Sequence, residues 1–306
     1  MPTLPPSPPI VVGLGEAVWD IFSESRRPGG ATANVAYQAA QLGARGVVAS
    51  RVGTDELGRE LLAYLKTKGL DTTYLQIDPE HETGRVTVDT SDPGHPWYVI
   101  HENVAWDYLA ERDDFLQLAD QAAAVCFGTL AQRSPVSRAA VQRFIQRTRG
   151  LVVFDVNLRQ KWYDRESLDL SFQRASIVKL NLEEMAPVSA ELGLPHSSEQ
   201  VFADALRQRY PVETVIITRA EDGCFVTSGS EVVDLPGERV TVVDAVGAGD
   251  AFTAAFIMLT LESQPLELKA RFANRVGGIV VEKAGAMPEV KHEYDQLRNE
   301  FGLTAK

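Results

Sequence analysis

An α/β fold with a mostly parallel central sheet and a small β appendage is what this sequence predicts, on three observations. Short apolar runs rich in β-branched residues alternate with segments of helical periodicity along most of the chain. Several of those runs end in polar residues, the arrangement expected where the carboxyl ends of parallel strands carry a site. Between residues 83 and 101 the rhythm breaks into a hairpin pattern that fits no parallel sheet.

The 306 residues are 44% hydrophobic and 24% charged, enough chain to bury a large core. A net charge of −12 makes nucleic acid and anionic membrane poor partners, so any anionic ligand must be held by helix ends, single arginines or a metal. Cys126 and Cys224 sit in apolar β-like runs without zinc spacing and read as buried, reduced thiols. The proline-rich start, Met1 to Pro9, has no signal-like pattern and reads as a disordered lead-in. No apolar run reaches the ~20 residues of a membrane span, so the cytoplasm is the expected location.

The first strand, Ile10 to Glu16, leaves through a glycine turn. Gly13 and Gly15 start a dinucleotide fingerprint, but Val18 stands where its third glycine belongs and the chain continues extended through Ala17 to Phe22. Pro28 to Asn34 open a helix running from Ala33 to Leu42, and Gly43 ends it. Asp20 and Asn34 could offer hydrogen bonds to a polyhydroxylated ligand across the small residues between them; a helix cap and a solvated turn is the bland alternative. A strand from Val47 to Gly53 and a helix carrying Leu61, Leu62 and Leu65 follow. Gly53 and Gly58 have Walker spacing, but Arg59-Glu60 follows where Lys-Ser/Thr is needed.

Thr83 to Asp89 and Trp97 to His101, joined by a turn at Ser91 to Gly94, form the hairpin. With the extended piece near Trp19 it makes a lid from residues about 16–28 and 82–103, standing off a single domain of residues 10–306. Strands then recur at Ala123–Gly128, Leu151–Asp155, Ser176–Asn181 and Thr214–Thr218, with helices at Pro135–Arg147 and about Ser197–Arg209. Their ends present Asp155, Asn157 and Arg159, Asn181 with Glu183 and Glu184, and Thr218. A hairpin of Cys224–Val226 and Glu231–Asp234 precedes the last motif, and helices at about Leu266–Lys283 and Glu289–Phe301 close the chain.

That motif is Val242 to Thr253, read as a strand ending near Asp244, a two-glycine turn and an amphipathic helix from Asp250. Glycines let a ligand approach the backbone, and a helix N-terminus offers unpaired N–H groups and a positive dipole end, together an anion site. A carboxylate there repels a bound phosphate. It makes sense if Asp250 takes a proton from a hydroxyl while the amides of Gly247, Ala248 and Gly249 neutralise a phosphoryl group in flight. The alternative is a plain N-cap.

Three segments recur in one order. Gly29-Gly30-Ala31-Thr32-Ala33-Asn34 with Val52 to Gly58, Asn181-Leu182-Glu183-Glu184, and Asp244 to Phe252 resemble the signatures of the ribokinase (PfkB) family of carbohydrate kinases over nearly the whole chain. The resemblance implies a ribokinase-like three-layer α/β/α sandwich with a small β-sheet lid. It implies ATP-dependent phosphorylation of a sugar, with Asp250 as base and the amides of Gly247 to Asp250 as anion hole. It places sugar hydroxyls on Asp20, Gly29, Gly30 and Asn34, with Arg159 as a partner for phosphate or sugar. Asn181 and Glu184 would act through water on Mg²⁺ and the phosphates; Thr218, Gly223 and Asn274 fall where the family contacts ATP. Asp244 and the Val246 carbonyl fall where many members bind a monovalent cation such as K⁺. Two departures stand out: Ala245 and Val246 replace frequent threonines, and Thr218 to Gly223 departs from the usual T-x-G-x-x-G loop.

The segments Gly15 to Asp20, Thr83-Gly84 and Glu102 to Asp107 resemble bacterial fructokinases, so fructose phosphorylated at its 6-hydroxyl is the expected reaction. Ribose or 2-keto-3-deoxygluconate is the alternative substrate, and a non-catalytic sugar or nucleotide sensor the alternative class. Sugar phosphates are disfavoured because no basic pair is evident near Asp20 or Asn34. The lid's exposed face is expected to pair with a second copy, giving a homodimer, since a small sheet has edges to protect.

Overall fold

The computed structural model describes residues 7–89 and 97–304. Its strands are β1 (Ile10–Leu14), β2 (Val18–Ile21), β3 (Arg26–Gly29), β4 (Arg45–Gly53), β5 (Leu75–Asp78), β6 (Gly84–Asp89), β7 (Trp97–Ile100), β8 (Ala124–Phe127), β9 (Leu151–Asp155), β10 (Ile177–Asn181), β11 (Thr214–Thr218), β12 (Cys224–Ser228) and β13 (Glu231–Leu235). The helices are α1 (Ala31–Gln41), α2 (Glu56–Thr67), α3 (Asp113–Gln121), α4 (Pro135–Arg147), α5 (Arg165–Phe172), α6 (Met185–Leu192), α7 (Glu199–Arg209), α8 (Ala248–Leu261), α9 (Leu266–Val281) and α10 (Lys291–Glu300).

Nine strands form the main sheet in the order β13-β12-β11-β10-β9-β8-β1-β4-β5, parallel except around β12. Alternating side chains feed two cores. Val12, Leu14, Val125, Phe127 and Phe154 face α3 to α7, while Val11, Ala124, Cys126 and Val153 face α8 and α9, which completes the three layers. From β1 the chain builds outward to β4 and β5, then returns to β8 on the other side and builds the opposite way. The crevice between the carboxyl ends of β1 and β8 is therefore the topological switch point, where open α/β sheets bind ligands.

The second, four-stranded sheet has the order β3-β2-β6-β7 and is drawn from the segments expected to form the lid. Trp19 on β2 donates its Nε1–H to the Leu57 carbonyl on α2 at 2.9 Å. Gly84 starts β6 directly over Trp106, whose Nε1 would lie 2.3 Å from any Cβ there. The Arg133 guanidinium lies 4.0 Å over the Trp106 ring and pairs with Asp107 at 2.8 Å. A stacked aromatic with a nearly buried ion pair thus fixes the root of the lid to the body. The turn expected at Ser91 to Gly94 and the lead-in from Met1 to Pro6 lie outside the described residues.

Two expectations are corrected. The run at Val242-Val243 is not a strand: Val242, Val243 and Val246 are exposed, and the amides of Val243 and Asp244 reach the Val281 carbonyl at the end of α9. Among the described residues no strand pairs with this run, so its β-branched propensity goes unused. Nor is α8 amphipathic, since every residue from Ala251 to Leu259 is buried. It lies between the sheet, α1 and α9, so each face meets apolar partners. Each fully buried phenylalanine on it, such as Phe256, contributes about 2–3 kcal/mol of apolar burial. That packing holds the helix start rigidly under the loop that precedes it.

Candidate active site

Gly247 takes a left-handed conformation (φ 84°) as N-cap of α8, and a Cβ there would lie 2.7 Å from Ala286. Only glycine fits without moving the neighbouring loop. Asp250 sits in the first turn of α8, where its Oδ2 accepts the Asn34 side-chain amide at 2.7 Å. Asn34 comes from the first turn of α1 and is 4% exposed, and its Oδ1 has no partner. Two motifs 216 residues apart therefore meet at one carboxylate. Burial and the charge of Asp155 raise the Asp250 carboxyl to about 6, against the opposing pull of Asn34, Lys179 and Arg159. A carboxylate so poised is ionised at neutral pH yet basic enough to accept a proton.

Beneath the turn, Lys179 on β10 pairs with Asp155 on β9 at 3.1 Å, and the Thr253 hydroxyl of α8 reaches Asp155 at 3.1 Å and the Gly249 carbonyl at 2.9 Å. The Lys179 ammonium would lie 3.2 Å from a Cβ on Gly249. The sheet is thus tied to the helix start by a buried charged network.

Asp20 on β2 and Gly29 on β3 face each other across the lid strands. A Cβ on Gly29 would lie 2.8 Å from Asp20 Oδ2, so this glycine makes room for the carboxylate. Gly30 (φ 118°) packs against the Glu16 carbonyl, which a Cβ would approach to 2.4 Å. Burial raises Asp20, and Arg159 and Arg27 pull it back. Arg159 also lowers Glu16 and Asp250, so one guanidinium lies within electrostatic reach of three carboxyls. Asp20, Gly29, Gly30, Asn34, Arg159 and Asp250 accordingly gather at the switch-point edge. Two arginines act on the charge of Asp20, Arg159 from the loop after β9 and Arg27, its register partner on β3, but Arg27 is itself paired with Asp244 at 3.1 Å, so no free basic pair stands beside Asp20.

On the other side, Glu184 Oε1 accepts the Leu158 amide at 2.7 Å and Oε2 the Asn181 amide at 2.9 Å, while Asn181 Oδ1 caps Glu184 at 3.0 Å. Thr218 ends β11, and Gly223 (φ 92°) turns the chain under Leu235, whose carbonyl a Cβ would meet at 2.1 Å. Asn274 donates to the Pro236 carbonyl at 3.4 Å and lines a cavity of about 860 Å³ with Leu235, Gly237 and Arg275. None of the residues around Asp250 lines that cavity.

A description of the pfkB family of carbohydrate kinases matches residues 11–292. The chain belongs to that family. The kinase is 31% identical to a fructokinase of Escherichia coli over 298 residues, covering 90% of this chain and 94% of that one. It is 27% identical to a sugar kinase of Pyrococcus horikoshii solved in complex with ATP, with a TM-score of 0.81 and coverage of 94% and 99%. It is 28% identical to the aminoimidazole riboside kinase of Salmonella enterica, solved with aminoimidazole riboside and an ATP analogue, with a TM-score of 0.75 and coverage of 95% and 99%.

Sequence reasoning missed three residues of this kinase. Glu16 is 5% exposed, and burial lifts it to about 7 against Arg159 and the amides of Glu16 and Ala31. Lys179 was visible only as a strand residue, and Arg27 carried no signal in the sequence. Arg27 in fact donates to Asp244 Oδ2 at 3.1 Å, which also accepts the Gly285 amide, while Asp244 Oδ1 accepts the Val246 amide. The carboxylate expected to hold K⁺ is therefore already supplied with protein donors, a cationic one among them. No cluster of three or more His, Cys, Asp or Glu able to hold a metal occurs among the described residues. A magnesium held through water still fits Glu184, because each of its oxygens gives one lone pair to an amide and keeps another.

Proposed function

We propose that this sugar kinase transfers the γ-phosphoryl group of ATP to the 6-hydroxyl of fructose. The observation that carries the reading is the 2.7 Å hydrogen bond between Asn34 and Asp250, which puts the one basic carboxylate of the glycine loop beside the polar groups fit for a sugar. Asp250 takes the proton of the hydroxyl as its oxygen forms the new bond to phosphorus. The bond from phosphorus to the β-phosphate bridging oxygen breaks and ADP leaves. The amides of Gly247, Ala248, Gly249 and Asp250 face the transferring group, where fixed donors stabilise developing charge at no reorganisation cost. Asp20, Gly29, Gly30 and Asn34 hold the hydroxyls, and Arg159 offers its guanidinium to the phosphoryl group or the sugar.

Asn181 and Glu184 serve the nucleotide side through water to Mg²⁺, which when bound offsets the triphosphate charge. Thr218, Gly223 and Asn274 contact the nucleotide. Closure of β2, β3, β6 and β7 dries the site, so that water does not compete as nucleophile. The exposed face of that sheet pairs with a second copy, which light scattering tests. The potassium reading gains no support from Asp244, which Arg27 already neutralises.

The fructokinase relatives support fructose; Arg159, which acts on the charge of Asp20, keeps acidic sugars such as 2-keto-3-deoxygluconate as the second reading. A coupled ADP-release assay over fructose, ribose, 2-keto-3-deoxygluconate and aminoimidazole riboside tests this. Fructose should give the highest kcat/KM. A preference of tenfold or more for the sugar acid would replace fructose, and no turnover with any sugar would leave a sensor.

A further inference from the structure

We infer that Glu16 is a further substrate-positioning residue, whose free carboxyl oxygen takes one hydroxyl of the sugar that Asp250 deprotonates elsewhere. The inference rests on the kinase reading and deepens it. Glu16 follows β1 by two residues, at the switch point, and its backbone carbonyl packs on Gly30. Its carboxyl receives the amides of Glu16 and Ala31, the latter opening α1, yet Oε2 is buried with no hydrogen-bond partner. Leaving one oxygen of a buried carboxyl unpaired costs about as much as a lost hydrogen bond, so the position makes sense when something else brings the donor.

The void beside it tells what that donor is. Glu16 lines a narrow cavity at the carboxyl ends of β1, β8 and β9, where Thr32, Asp155 and Asn157 are the other polar members of a lining otherwise apolar, from Val35, Cys126 and Leu130. The space admits a hydroxyl-sized group and no ring. The Glu16 carbonyl packs on Gly30 and the cavity is lined by Thr32, between Gly30 and Asn34 in the chain, which sets it beside the proposed sugar subsite. A polyol whose ring lies over Gly29 and Gly30 can send one hydroxyl in. The donor is an alcohol O–H, and a second anion is repelled by Glu16, Asp155 and Asp250 together.

The test is sugar affinity by calorimetry at about pH 8.5, where a carboxyl raised to about 7 is ionised, with the full chain and D-fructose, for wild type, Glu16→Gln and Glu16→Asp, alongside 2,5-anhydromannitol and the singly deoxygenated fructoses. Glu16→Gln keeps an oxygen for the amides of Glu16 and Ala31 and removes a buried charge, so its melting temperature should not fall. Its fructose affinity should fall about 10- to 100-fold, the usual worth of a hydrogen bond to a charged group, with the ATP affinity unchanged. One analogue lacking the contacted hydroxyl should bind wild type and Glu16→Gln equally. Glu16→Asp, which keeps the charge but withdraws it by one methylene, should also weaken fructose and serves if Glu16→Gln does not fold. Equal fructose affinity in wild type and the variants, with phosphorylation intact, would overturn the inference and leave Glu16 as a helix cap over a water. Absence of both sugar binding and phosphorylation in wild type would overturn the kinase reading together with it.

Discussion

Replacing Asn34 with alanine isolates the physical link on which the base depends. Asn34 donates to Asp250 at 2.7 Å and so favours its ionised form, while burial and Asp155 oppose it and Lys179 and Arg159 assist. A hydrogen bond to a charged group is worth about 1.5–3 kcal/mol, and one pKa unit is 1.36 kcal/mol. Losing the bond should therefore raise Asp250 from about 6 by roughly 1–2 units. As the proposed base, Asp250 works only when deprotonated, so the rate is expected to fall as pH drops through that value. At pH 7 the ionised fraction would fall from about nine-tenths to between roughly a tenth and a half, and would recover at higher pH. The assay is kcat/KM for fructose from pH 5 to 9 at saturating ATP. An acid limb near 6 in wild type, displaced upward in Asn34→Ala, is expected. An acid limb unmoved or displaced downward would refute the reasoning, whatever the loss in sugar affinity.

Other outcomes follow from the same geometry. Asp250 is raised above its unfolded value, so its ionisation destabilises the fold; that cost is absent below about pH 4 and complete above about pH 6. Asp250→Asn should therefore be more stable than wild type at pH 7.5, by about 1–3 kcal/mol in denaturant melts, and no more stable at pH 4. Gly29→Ala, whose Cβ would lie 2.8 Å from Asp20 Oδ2, should raise the sugar KM about tenfold with the ATP KM unchanged; the reverse split would contradict the placement of Asp20. Gly247→Ala combines φ 84° with a 2.7 Å approach to Ala286 and should lose about 10²-fold in kcat, read at matched saturation, from misaligned amides.

What the sequence made legible was what short contiguous segments encode. The glycine loop and its aspartate, the Gly29-Gly30 turn and Asn34 each declared a local conformation, and the structure brings Asp250 and Asn34 together as their chemistry requires. The strands of the main sheet from β8 to β11 were legible because buried parallel strands are continuous apolar runs. The run at Val242-Val243 misled because propensity says nothing about whether a partner strand exists. Short elements such as α5 and α6, eight residues each, carry too few turns for a periodic signal. Glu16, Lys179 and the Arg27–Asp244 pair were illegible for another reason: their meaning lies in contacts between segments distant in the chain, and for Glu16 and Lys179 a charged residue looks solvated until the fold buries it.

Phosphorus-31 NMR of ATP with fructose, run with wild type and Asp250→Asn at equal ATP occupancy, tests the central claim most directly. The account predicts a sugar 6-phosphate signal with wild type and a rate about 10²- to 10⁴-fold lower with the variant, at unchanged ATP affinity. Equal rates of sugar phosphate formation by the two proteins would contradict it.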